Sequence, residues 1–209
     1  MTLSTLLLFL GASMALTIVP GPDNILVVTQ GVARGRRAAV VTAWGMCSGI
    51  TVHTLAAAAG ISALFYSSAV AFRVVKYAGA LYLLYLAWKM LRERDALTIS
   101  VTGAGFAPSL SALYRRGFIM NVLNPKVALF FLAFLPQFTV REAGNVPLQM
   151  ALLGFVFMAQ ALVIFTLIGL FSGTVGVWLR QRPGAGCYLT RLAGGIFALL
   201  GLRLALMER

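Results

Sequence analysis

Val19-Pro20-Gly21-Pro22-Asp23-Asn24 interrupts an apolar run that begins at Leu3 and resumes through Ile25-Leu26-Val27-Val28. Two prolines and a glycine cannot continue a regular helix, because proline lacks a backbone N–H and its ring clashes with the preceding turn. If the run crosses a bilayer, the helix is broken inside it and an acid sits at the break. Broken backbone at membrane depth is tolerated only where protein or water satisfies the freed polar groups. The helix-break residues are thus Pro20, Gly21 and Pro22, and the rest of the chain is read as their scaffold.

Composition supports a membrane setting. Of the 209 residues 60% are hydrophobic and only 11% charged, against about a quarter charged in soluble domains. Mean hydropathy is +0.92. Several apolar stretches reach the roughly 18 residues that mark a transmembrane helix. The expected fold is all-α and integral to the membrane, with six transmembrane helices. The net charge of +12 does not point to nucleic acid, because the basic residues cluster at the ends of apolar runs, as in membrane loops. Cys47 and Cys187 offer neither a metal spacing nor a disulfide framework. Residues 1–19 lack the basic start of a signal peptide, the first Arg being Arg34, and read as a retained span.

Six spans follow in order. Span 1 covers about 3–32 and span 2 about 38–65, with His53 deep inside it. Gly45 and Gly49 there form a G-x-x-x-G spacing that lets helix backbones approach, within one bundle or between two copies. Span 3 covers about 69–91. Residues 93–113 read as a polar linker, too short to fold alone. Span 4 covers about 114–138 and breaks at Asn124-Pro125-Lys126. Span 5 covers about 147–177 with Gln160 near its middle, and span 6 about 188–207. The chain is thus one transmembrane domain over 1–209, with repeat 1 over about 1–92 and repeat 2 over about 114–209.

Loop charges set the expected orientation. Arg34, Arg36, Arg37, Lys89, Arg92, Arg94, Arg115, Arg116, Arg180, Arg182 and Arg191 fall on one side. Arg73, Lys76, Arg141, Arg203 and Arg209 fall on the other. The richer side is expected in the cytoplasm, with the linker there and both termini outside.

The halves echo each other. Pro22 aligns with Pro125, which sets Asp23 opposite Lys126. Lys76-Tyr77-Ala78-Gly79 parallels Arg191-Leu192-Ala193-Gly194. Three spans per half force the second half to enter from the opposite side, giving an inverted repeat. Matching broken helices in such halves point to a transporter's midplane site.

Candidate chemistry gathers at those breaks. An acid or a lysine at the centre of a span costs roughly 2.5–3.5 kcal/mol, so an ionisable residue there suggests use. Asp23 suits a helix start, where the dipole end is positive; a plain cap is the other reading. Lys126 has the wrong sign for its own helix start, and pairing with Asp23 is the simplest offset; snorkelling to a surface is the other. An opened pair offers a carboxylate to an ammonium and an ammonium to a carboxylate, the pattern of a zwitterionic amino acid. Asn24, Asn124 and Gln160 could line the site, or satisfy backbone groups freed by Pro20, Pro22 and Pro125. His53, the single histidine, could relay a proton or simply bond a neighbouring helix. Enzyme readings are poor. Asp23 has no second mid-membrane acid, no metal-ligand cluster is visible, and no phosphate-cradling loop occurs. No cofactor and no metal is expected.

The chain resembles the LysE/RhtB superfamily of bacterial amino-acid exporters over nearly its whole length. The specific matches are Pro20-Gly21-Pro22-Asp23-Asn24, then Gly79-Ala80-Leu81-Tyr82-Leu83-Leu84-Tyr85-Leu86-Ala87, then Gly117-Phe118 with Asn121-Val122-Leu123-Asn124-Pro125-Lys126. The resemblance implies efflux of small amino acids or related metabolites across the inner membrane, with lipid as surroundings. It also implies coupling to the proton-motive force as antiport, and often a homodimer. The direction of transport rests on the resemblance alone. A scaffold subunit and a passive channel are the competing classes. A scaffold would need a sizeable extramembrane surface, and a channel would ignore a protonophore.

Overall fold

Proline and glycine placement divides the apolar runs into helices. The structure, a computed structural model, describes residues 2–19, 21–61, 69–92, 108–140, 143–181 and 183–206. Helix α1 (Leu3–Ile18) is followed by α2 (Pro22–Arg34) and α3 (Arg36–Ala56), which loosens into a wider π turn over Ala57–Ile61. Then come α4 (Ala69–Arg92), α5 (Leu110–Val122) and α6 (Pro125–Leu129). Helix α6 runs on through a π turn at Phe130–Phe134 and a 3-10 turn at Leu135–Phe138. The last three are α7 (Val146–Leu170), α8 (Ser172–Gln181) and α9 (Pro183–Leu206). No strand occurs among the described residues.

Four of these helices are long and apolar enough to cross a membrane, and up to six spans result if each bent pair counts as one. The bent pairs are α1 with α2, at 54°, and α5 with the α6 segment, at 46°. Both bends fall where the prolines predict them. Pro22 and Pro125 each stand in the first turn of the second half-helix, where a missing N–H costs nothing. Pro20 lies outside the described residues, as do 93–107 of the expected linker and 62–65 at the end of span 2.

Three boundaries differ from expectation. Span 4 begins at Leu110, not Tyr114, because the Ser109 hydroxyl caps α5 by accepting the Ala112 N–H at 3.3 Å. Span 5 ends at Leu170; a turn at Phe171 starts the separate helix α8. The helix that holds span 6 starts five residues early, at Pro183, and its candidate span runs Gly186–Leu206. Lys76, counted among the loop charges, is 4% exposed, with its ammonium 5.0 Å from the Tyr77 ring centre.

Helix α3 is the central post, packed along α5, α7 and α2, while α4 pairs with α9. Helices α3 and α5 approach backbone to backbone. A side chain at Gly45 would strike the Tyr114 carbonyl, and one at Gly117 would strike the Thr42 carbonyl. At Gly49 a Cβ would lie 2.9 Å from Asn121 Oδ1. The G-x-x-x-G pair therefore packs within this bundle and brings α3 against the second break.

Candidate functional site

Each break leaves carbonyls without their helical donors, and the site grows from how they are satisfied. At the first, Pro22 has no N–H to give Ile18, and α1 stops there. The Thr17 carbonyl instead accepts from Asn24 Nδ2 at 3.1 Å, and the Val19 carbonyl accepts from Lys126 Nζ at 3.3 Å. At the second, Pro125 has no N–H for the Asn121 carbonyl. That oxygen accepts from the Asn124 N–H at 2.9 Å and from His53 Nε2 at 3.0 Å. Because a carbonyl only accepts, Nε2 carries the ring proton in this bond. Asn124 caps α6, its Oδ1 accepting the Lys126 N–H at 3.0 Å.

The two breaks meet at one ion pair. Lys126 Nζ lies 3.6 Å from Asp23 Oδ2, with side-chain exposures of 8% and 3%. Lys126 does not snorkel. Asp23 does not cap either; the cap position of α2 is Gly21, and no side-chain cap bond forms. The sign problem at Lys126 is resolved by a neighbour the sequence does not reveal. Its ammonium rests on the carbonyl end of α1, the negative end of a helix dipole, while Asp23 sits at the positive end of α2. Each charge thus has both a counter-charge and a dipole of the right sign.

At 3.6 Å the pair is in ionic contact but beyond hydrogen-bond length. Asp23 Oδ1 is buried without a hydrogen-bond partner, and so are Asn24 Oδ1, Gln160 Oε1 and Asn121 Oδ1. Gln160 on α7 reaches the same place, donating from Nε2 to Thr17 Oγ1 at 3.0 Å. A continuous polar track therefore runs Gln160–Thr17–Asn24–Asp23–Lys126. Its unused atoms are acceptors, and buried polar atoms without partners demand an explanation. A guest bearing several N–H or O–H donors would supply what they lack. At Gly21 a Cβ would lie 3.0 Å from Asp23 Oδ1 and 3.2 Å from Lys126 Nζ, so the glycine leaves both charged groups uncrowded.

Of the residues expected at the site, Asp23, Asn24, Gln160 and Lys126 are joined by this track. Asn124 supports Lys126 from the backbone side. His53 is not on the pair; it reaches the second break through the Asn121 carbonyl and stacks obliquely on Phe131, ring centres 5.8 Å apart. It lines a small apolar cavity of about 170 Å³ with Ala56, Ala57, Gly60, Ala128, Phe131 and Leu132, where the π turns of α3 and α6 face each other. Thr17 was missed by sequence reasoning. Its signal was the Ser13–Thr17 spacing, which puts two hydroxyls on one face of α1 just before the break. No group of residues able to hold a metal occurs among the described residues.

The two ends of the bundle differ. Toward the far ends of α1 and the α6 segment, Phe9, Phe130, Phe134, Phe138 and Phe157 fill the space, with neighbouring ring centres 4.9–6.1 Å apart. Toward the other end, a groove of about 400 Å³ runs between α2 and α5 from Pro22 and Met120 to Arg34 and Arg116.

The model of the LysE type translocator family matches residues 14–208. The chain is 28% identical to a homoserine/homoserine lactone efflux protein of Salmonella typhimurium over 94% of each chain. It is 31% identical to a leucine efflux protein of Enterobacter sp., covering 88% of this chain and 85% of that one. An uncharacterized membrane protein of Vibrio cholerae is 30% identical over 95% of each. No solved structure matches. With its long apolar helices, the chain belongs to the LysE type translocator family, multi-pass membrane transporters rather than enzymes.

Proposed function

We propose that the protein is an inner-membrane secondary transporter that exports small amino acids or related metabolites by proton antiport, with its substrate site at the two helix breaks. The observation that carries this reading is the buried, incompletely closed Asp23–Lys126 pair beside partnerless acceptor oxygens. The substrate class is drawn from relatives named for homoserine and leucine efflux. The substrate ammonium takes up the free oxygens of Asp23, Asn24 and Gln160. Lys126 leaves Val19 and Asp23 to receive the carboxylate. Asp23 alternates between proton and substrate ammonium, so that one is released as the other is bound. His53 passes protons toward the second break.

The six-span inverted repeat accounts for the packing, since proposed equivalents touch: α3 on α7, α4 on α9, and break on break. In this arrangement 1–209 is one domain, the arginine-rich end with the 93–113 linker is cytoplasmic, and both termini lie outside. The phenylalanine-filled end is then the outer closure. A homodimer is the proposed unit. The test is efflux of labelled homoserine and leucine from preloaded cells. Overexpression should speed efflux and a protonophore should abolish the gain. Gradient-following flux unaffected by the protonophore would make the protein a channel, and unchanged efflux of both would leave a scaffold.

A further inference from the structure

The groove between α2 and α5 ends at Pro22 and Met120, next to Asp23 and Asn121, so it opens one end of the bundle onto the first break. Its volume of about 400 Å³ lies within the roughly 300–1,000 Å³ usual for small-molecule sites. Two arginines line its mouth, one from each half of the chain. Arg34 has a local reason to be there, the last turn of α2. Arg116 has no such dipole reason: it stands at the middle of α5, away from either terminal turn. Asp23 is the one acid among the described residues, and it pairs with Lys126, so no described carboxylate answers either guanidinium. Gln30, 5% exposed, lines the same groove and keeps its Oε1 without a partner.

We infer that this groove is a second amino-acid site, at which Arg34 and Arg116 hold the substrate carboxylate and Gln30 Oε1 accepts from its ammonium before the molecule moves to the break. Guanidinium suits this role because its fork of N–H donors matches a carboxylate. The inference rests on the amino-acid reading of the break, and it adds a loading step with its own residues. It also makes a free carboxylate a requirement of loading: an amino-acid amide should bypass the groove arginines.

The test places a reporter thiol in the groove. The full chain carries Thr29→Cys with Cys47→Ala and Cys187→Ala, reconstituted in phosphatidylcholine nanodiscs. Alkylation by iodoacetate, which bears a carboxylate, is compared with alkylation by neutral iodoacetamide. Arg34→Gln and Arg116→Gln should each lower the iodoacetate-to-iodoacetamide rate ratio about two- to fivefold, the worth of a solvent-screened ion pair. Leucine should slow labelling and leucinamide should not. A ratio indifferent to both substitutions, or equal protection by leucine and leucinamide, would overturn the site. Loss of leucine protection on adding phosphatidylglycerol would overturn it too, assigning the arginines to lipid phosphate. The double variant Asp23→Asn, Lys126→Gln should stop efflux yet keep groove protection, and loss of that protection would overturn a groove site separate from the break. If leucine protects but the wild type exports no amino acid, the export reading fails and the groove stands. If export proceeds while the ratio ignores the arginines, the groove fails alone.

Discussion

Removing one charge of the central pair should cost much more than removing both. The 3.6 Å separation of Lys126 Nζ and Asp23 Oδ2 corresponds to about 5 kcal/mol of attraction at an effective dielectric constant of about 20. Leaving one member of a buried pair uncompensated typically costs about 3–5 kcal/mol, of the same size. Lys126→Gln strands the Asp23 carboxylate, whose Oδ1 already lacks a partner, and also frees the Val19 carbonyl. Asp23→Asn strands the ammonium, but the carbonyl end of α1 still receives it. Lys126→Gln should therefore be the more damaging single change. For a chain of about 200 residues, 3–5 kcal/mol is roughly 6–20 °C in midpoint temperature. The double change Asp23→Asn with Lys126→Gln removes both charges and should regain most of the loss, as buried pairs replaced together often do. The assay is thermal unfolding of detergent-purified protein, followed by fluorescence-detected gel filtration after heating. A Lys126→Gln protein as stable as wild type, or a double variant no better than the worse single, would refute this account of the pair.

Gly21→Ala meets no backbone obstacle, since φ is −158°, but its methyl would press on Asp23 Oδ1 and Lys126 Nζ; efflux should fall at least tenfold with normal protein levels and a midpoint within a few degrees of wild type. Gly117→Val should abolish folded protein in the membrane, because its side chain would enter the Thr42 carbonyl of α3, which gel filtration of solubilised membranes reports. His53→Gln keeps an N–H donor for the Asn121 carbonyl but cannot carry a proton; normal protein levels with efflux that no longer responds to a protonophore would show relay, whereas wild-type coupling would show that the ring only braces the break. Gln149→Leu removes three bonds that tie down the turn before α7, to the Val140 N–H, the Val140 carbonyl and the Gly144 carbonyl, and should lower stability by about 1–3 kcal/mol in the same thermal assay.

Much of this was legible in the sequence because proline and charge are local signals. Pro22 and Pro125 fix the breaks whatever surrounds them, and an acid and a lysine at equivalent positions invite pairing. Gly45 and Gly49 announced a close approach but not its partner; that is α5, through Gly117 and the Tyr114 carbonyl, a relation between distant segments. What stayed hidden was mostly the fate of backbone groups. Nothing in the residue order says that the Val19 carbonyl receives Lys126, or that the Asn121 carbonyl receives His53. The asparagines showed the same limit. Asn124 spends its side-chain oxygen on a cap and Asn24 spends its amide on Thr17, so of these two Asn24 alone keeps a free oxygen. Span ends were misplaced where a cap or turn decides them, as Ser109 does for α5 and Phe171 for the start of α8.

The central claim is that the Asp23–Lys126 pair is used for transport and is not merely a brace between the halves. The doubly neutral Asp23→Asn, Lys126→Gln protein separates the two, because it removes the charges while sparing the fold. Its efflux of labelled homoserine and leucine from preloaded cells, at wild-type membrane levels, is the most direct measurement. The account predicts export no faster than from cells lacking the protein. Wild-type export by that variant would contradict it.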